Sequence, residues 1–198
     1  MNRQNEKPAE FDKYASSYAE RIQHPIRNQF ALNERFFFER KIEIIRGFFQ
    51  RARLQTENLD WLDIGCGQGD VLRLGSRYFK SIAGCDPSKE MLKSCQDLGV
   101  RHQSTVETLP FDDKTFDFIS AVCVYHHVPV ASRLPLTAEA LRVLRPGGTC
   151  CIIEHNPRNP VTRLIVAGTP IDADGQLLSA NETGRLLSDA GGKVIETQ

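Results

Sequence analysis

The stretch that decides the fold is Leu62-Asp63-Ile64-Gly65-Cys66-Gly67-Gln68-Gly69-Asp70. Apolar residues from Leu59 through Trp61, Leu62 and Ile64 read as a short buried strand, and the run stops at three glycines spaced two positions apart. Beyond them Val71, Leu72 and Leu74, with Gly75 and Tyr78, suit the apolar face of a helix. The glycines therefore stand where backbone N–H groups point out of a helix N-terminus and a ligand can approach the chain closely.

A dinucleotide turn of the form G-x-G-x-x-G cradles a pyrophosphate. Here position 70 is Asp, whose carboxylate would repel that group, and Asp63 precedes the first glycine by two residues. The combination resembles the first motif of the class I S-adenosylmethionine (SAM) methyltransferases. That resemblance implies an acid beneath the positively charged methionine end of the cofactor, with glycines that let the sulfonium pass.

Further signals follow along the chain. Ser81 to Cys85 reads as a second strand ending at Asp86, about twenty residues past the glycines, where an acid meets ribose hydroxyls in nucleotide-binding βαβ units. Ser88 is placed to cap a helix over Lys89–Leu98. Val100–Val106 is a weak third strand, Phe118–Val124 a fourth that is apolar throughout, and Cys150–Ile153 lies in a fifth. Leu134–Leu144 reads as a helix closed by Arg145-Pro146-Gly147-Gly148, and Ser179–Ala190 as the last helix. Serial βα units of this kind predict an α/β fold with a doubly wound, mostly parallel Rossmann-like sheet.

Two helical stretches precede the first strand, one from Phe11 with Phe11, Tyr14, Ala15 and Tyr18 on one face, the other over 29–53. The resemblance makes residues 1–56 an N-terminal helical cap or lid, Tyr14 and Tyr18 its cofactor-facing side chains, and 57–198 the SAM-binding core. An irregular Pro- and Gly-rich insertion at 157–178 would roof the acceptor pocket. Lys193–Thr197 is expected to begin a sixth strand, either beside the fifth or unpaired. The family's final antiparallel strand is expected to be missing.

The resemblance carries cofactor contacts to Tyr18, Asp63, Gly65, Cys66, Gly67, Gly69, Asp86, Pro87, Met91, Thr105, Val106, Glu107 and Cys123. Thr105 stands where the family often has an Asp bonding the adenine amino group. His126 and His127 end the fourth strand and His155 follows the fifth, so these three are the candidate general bases at the acceptor. No ligand spacing among them and Glu154 demands a metal, and methyl transfer from a sulfonium needs no Lewis acid, so none is assigned. The six cysteines contain no C-x-x-C pair and read as small buried hydrophobes.

With 25 basic and 25 acidic residues there is no global field to attract nucleic acid or an anionic membrane. No Asn/Asp-Pro-Pro-aromatic motif follows the fourth strand, which argues against amino-methylation of DNA bases. The start lacks the apolar core of a signal peptide, and a cytoplasmic location is expected. These features together imply a SAM-dependent methyltransferase acting on a small-molecule acceptor. Two rivals are a non-catalytic SAM-binding interaction protein and a nicotinamide oxidoreductase, which would share Gly65, Gly67 and Asp86 but not the acids at 63 and 70.

Overall fold

The apolar run before the glycines forms β1 (Asp60–Ile64), and the structure, a computed structural model describing residues 9–26 and 35–197, builds a sheet around it. The other strands are β2 (Ser81–Asp86), β3 (Val100–His102), β4 (Phe116–Val122) and β5 (Leu144–Ile153). All four pairings are parallel and the order is β3-β2-β1-β4-β5, so β1 is central. The order reverses beside β1. That switch point is where open α/β sheets bind ligands, outside the carboxyl ends of the strands.

The α-helices whose bounds fall within the described residues are, in chain order, α1 (Tyr18–Arg21), α2 (Arg35–Ala52), α3 (Asp70–Gly75), α4 (Lys89–Leu92), α5 (Val130–Val143), α6 (Pro160–Gly168) and α7 (Ala180–Asp189). They sandwich the sheet because successive strand residues point to opposite faces. Leu62, Ile64, Ile119 and Ala121 pack with Leu136, Ala140 and Val143 of α5. On the other face Trp61 and Phe118 meet Ile42, Ile45 and Phe49 of α2, with Phe79 stacked on Phe118 at 5.6 Å. Gly75 lets α3 lie against the Trp61 ring, since a Cβ there would come within 2.4 Å of it.

Several predicted elements change on folding. The first helical stretch is a 3-10 helix (Glu10–Ser17) running into α1, and the beginning of the predicted 29–53 helix lies outside the described residues. Ser88 caps as expected, accepting the Met91 N–H at 3.1 Å, but α4 is a single turn followed by a separate 3-10 turn at Gln96–Leu98. The third strand is cut to three residues and the fourth starts two residues earlier and ends at Val122, because Cys123 takes φ +57. α5 ends at Val143, just before Arg145-Pro146-Gly147-Gly148 as expected, but those four residues are an irregularity within β5. Leu144 pairs Phe116 and Thr149 pairs Phe118, so four residues bulge opposite one, with Gly147 at φ +81.

The insertion is also more ordered in form than its composition suggests. Asn159 accepts the Val161 and Thr162 N–H groups at 2.9 and 3.3 Å and Pro160 supplies the preset φ, which together start α6. Residues 193–197 add no strand; Glu196 pairs with Arg51 on α2, and β5 lies at the edge of the described sheet. No described helix is long and apolar enough to cross a membrane.

Candidate active site

A cavity of about 400 Å³ opens over the carboxyl ends of β1, β2 and β4, in the range of small-molecule sites. Its floor is the glycine turn, where Gly65, Gly67 and Gly69 all have positive φ (+68, +52 and +82). The three glycines differ in what a side chain would meet. A Cβ on Gly65 would come within 2.6 Å of Val124, and one on Gly69 within 2.7 Å of Cys95. On Gly67 it would meet nothing within 4 Å. Packing therefore demands glycine at 65 and 69, whereas Gly67 presents bare backbone to the cavity.

Two acids flank that backbone. The Asp86 carboxylate accepts the Gly67 N–H at 2.9 Å and the Ser88 N–H at 2.7 Å, leaving further lone pairs on each oxygen. Burial raises its pKa against those two bonds. Asp63, at the end of β1, accepts the Ser120 hydroxyl, whose oxygen in turn accepts the Trp61 indole N–H at 2.7 Å. Strand alternation puts Trp61, Asp63 and Ser120 on the α2 face, where Lys41 looks into the same cavity. Burial pushes the Asp63 carboxyl up to about 7, with the Ser120 bond and the Lys41 charge opposing. The floor is thus a carboxylate poised between its charged and neutral forms.

The N-terminal segment closes one side. Gln68 donates from Nε2 to the Ala15 carbonyl at 2.7 Å, and Ser88 donates to Asp12 at 2.6 Å, which fastens the 3-10 helix across the turn. Ala9, Phe11, Tyr18 and Ile22 line the cavity from this side, and burial pushes the Tyr18 phenol well above its usual range. Tyr14 is not among the lining residues; it packs under Lys13 and Arg21, with its ring centre 4.6 and 5.2 Å from their charges. Phe11, on the same expected face, takes a lining place instead.

At the opposite end a set of imidazoles gathers. Glu154, just past β5, accepts the Val124 and Tyr125 N–H groups at 2.9 and 2.6 Å and also bonds His126 Nδ1 at 2.7 Å. It thereby shapes the turn leaving β4. His126 is buried with its other nitrogen 3.4 Å from Asp172 Oδ1, and His127 Nε2 is also 3.4 Å from that oxygen. His155 Nε2 lies 3.9 Å from Asp172 Oδ2. Burial alone would lower the His126 pKa, but the bonds to Asp172 and Glu154 carry it up to about 9. Burial alone would raise the Cys123 thiol, but Lys41 and a bond to His155 bring it down to about 7.

The model of the methyltransferase domain family matches residues 62–152, the span from β1 to the last residues of β5. The fold matches a SAM-dependent methyltransferase of Thermotoga maritima with a TM-score of 0.70 over 91% of this chain and 79% of that one, at 20% identity. Residues 62–152 thus resemble a methyltransferase domain in sequence, on a fold of the class I type. Among curated relatives, an uncharacterized methyltransferase of Bacillus subtilis is 34% identical over 109 residues, 50% of this chain and 42% of that protein. A tRNA (carboxymethyluridine(34)-5-O)-methyltransferase of Arabidopsis thaliana is 32% identical over 114 residues, 57% of this chain and 28% of that protein. The chain thus spans less than half the length of these relatives. Since one of them acts on tRNA, a balanced net charge does not by itself rule out nucleic acid as the acceptor.

Family and fold imply SAM as the cofactor of the methyltransferase domain, and the residues present fit it. The bare backbone at Gly67, the Asp86 carboxylate beside it and the buried acid at 63 supply approach, hydroxyl acceptors and negative charge for a cationic ligand. Tyr18, Asp63, Gly65, Cys66, Gly67, Asp86, Pro87, Met91, Val106 and Cys123 all line the cavity, as do His127 and His155. Besides Tyr14, four expected residues do not. Gly69 serves helix packing. Thr105 is held in a bridge with Thr108, Glu107 accepts from Ser132 at the exposed rim, and both His126 ring nitrogens face carboxylates. The cavity also has lining residues that no motif announced: Gln103, buried and donating to the Val106 carbonyl at 3.0 Å, with Lys41 and Asp172.

Proposed function

We propose that this chain binds SAM in the cavity above the glycine turn and transfers its methyl group to a small-molecule acceptor held between His127, His155 and Asp172. The observation that carries the reading is the open face of Gly67 beside Asp86 and Asp63, all lining one cavity at the sheet's switch point. Bound there, SAM would supply an electrophilic methyl group on sulfur. The chain's own residues then do four things. Asp86 accepts ribose hydroxyl protons while still holding the turn. Asp63 and Lys41, of opposite charge, face the ammonium and carboxylate of the methionine end. The N-terminal segment, Ile171 and Asp172 exclude water. His155 or His127, its Nε2 turned to Asp172, takes a proton from an acceptor hydroxyl or amine on its other ring nitrogen. The size of the cavity and its cover of cap and insertion favour a small acceptor over a polymer.

Calorimetric titration with SAM and with NAD tests the cofactor, and incubation with labelled SAM plus metabolite extract or bulk tRNA tests the acceptor. SAM binding with label entering small molecules is the expected outcome. Tight NAD binding without SAM binding would sink the proposal, label in tRNA alone would replace the acceptor class, and SAM binding without any turnover would favour the interaction-protein reading.

Two further results are expected at this site. Asp86→Ala should weaken SAM binding by about 1–3 kcal/mol, the range for losing a charge-assisted partner of a buried polar group, in a variant whose melting shows it folded. An unchanged affinity would remove the ribose assignment. SAM affinity should also fall as pH drops below about 7, because Asp63 then takes up a proton and loses the charge that attracts a cation. Titrations in buffers of different ionisation enthalpy should show proton release on binding near pH 6.5; a pH-independent affinity between 6 and 8 would place the cation elsewhere.

A further inference from the structure

The imidazole cluster at the acceptor end has a geometry that hydrogen bonding explains poorly. His126 Nε2 and His127 Nε2 both lie 3.4 Å from the same oxygen, Asp172 Oδ1, beyond the usual N–H···O range of about 2.7–3.2 Å. Donors about 2.0–2.1 Å from a tetrahedral zinc ion are about 3.3–3.4 Å from one another. All three donor atoms lie within 4.8 Å of one another, close enough for one ion to reach them together. His126 also bonds Glu154 through Nδ1 at 2.7 Å, and Glu154 is itself fixed by two backbone N–H groups. A carboxylate behind the far nitrogen is the arrangement that orients a metal-bound histidine and raises its basicity. Finally, His127 and Asp172 line the cavity, as does His155, so a bound ion would keep a position open toward the acceptor.

We propose that His126 Nε2, His127 Nε2 and the Asp172 carboxylate form a binding site for a divalent transition-metal ion at the acceptor end of the cavity. Two imidazoles and one carboxylate suit zinc, cobalt, iron or manganese better than magnesium or calcium, which prefer all-oxygen shells. Glu154 and Asp172 flank the His126 ring, so a cation held at Nε2 sits between two carboxylates. The binding claim stands on these residues alone. Only its use, polarising an acceptor oxygen and lowering the pKa of its hydroxyl, rests on the methyl-transfer reading.

The test uses the whole chain, stripped with a chelator and titrated with Co²⁺ and Zn²⁺ by calorimetry and visible absorption. One equivalent is expected, with the absorption of four-coordinate Co²⁺. His127→Ala and Asp172→Asn should each weaken binding at least about 10-fold, and Glu154→Gln about 10–100-fold, in proteins whose metal-free melting shows them folded. His127→Gln, at the edge of the cluster, replaces any variant that fails to fold. Absence of saturable binding would overturn the site, as would wild-type affinity in both His127→Ala and Asp172→Asn, which would mean adventitious histidines elsewhere. SAM titration of the stripped protein runs in parallel: SAM binding without metal binding removes only this site, and metal binding without SAM binding removes only the proposed function.

Discussion

Gly67→Val should abolish SAM binding, lowering affinity at least about 100-fold, while leaving most of the fold. The native φ of +52° is uncommon for a β-branched residue and costs on the order of 1–3 kcal/mol, which a domain of this size can bear. No atom lies within 4 Å of the new Cβ, so the protein itself has nothing to repack. The isopropyl group instead fills the space that the ligand must enter. Gly65→Ala and Gly69→Ala provide the contrast, since their methyl groups strike Val124 and Cys95 and should lower stability before they touch affinity. Calorimetry and thermal melting of the three variants separate the effects. Equal affinity in Gly67→Val and wild type would mean that the turn serves packing alone.

His126→Leu should destabilise the protein by about 3–5 kcal/mol, because it removes the buried cation between Glu154 and Asp172 and leaves two carboxylates without their partner. The ring also packs against Gly175, where a Cβ would come within 2.8 Å of it, so its replacement disturbs the segment that carries Asp172. The sign of the pH dependence follows from the shifts. His126 is raised to about 9, so its contribution is complete below its unfolded value of about 6.5 and is lost as pH rises through 9. Glu154 and Asp172 are lowered, so theirs is present above about 4 and is lost as pH falls through the depressed folded values. Urea unfolding of wild type should therefore show stability falling from pH 6.5 to 10, and the variant should not share that fall. Identical pH profiles for the two proteins would show that the ring carries no charge in the folded state.

Local patterns in the chain were enough for the strand-turn-helix at 60–75, the buried strands and the placing of Asp63 and Asp86 at strand ends. Each of these depends on near neighbours: a side-chain period of two, a cap three residues from its partner, a glycine where the backbone must turn. The same reasoning overran wherever a backbone detail decided the boundary, as at Cys123 with its positive φ and at residues 145–148, which bulge inside β5.

The residues that complete the site answer to a different cause. Lys41 faces Asp63 only because α2 packs on the sheet face to which Asp63 alternates. Asp172 reaches three histidines only because α6, started by the Asn159 cap, leads the chain back over the ends of β4 and β5. Nothing near position 172 signals this, and His126 looked as available as His127 until Glu154 and Asp172 were seen to occupy both its nitrogens. By itself the sequence determined the fold class, the turn and the acids at the ends of the first two strands, since those follow from contacts within a few residues. The tertiary structure alone decided which glycine leaves its backbone bare, which histidines face the cavity and what holds them, because those depend on groups dozens of positions apart meeting across a packed sheet.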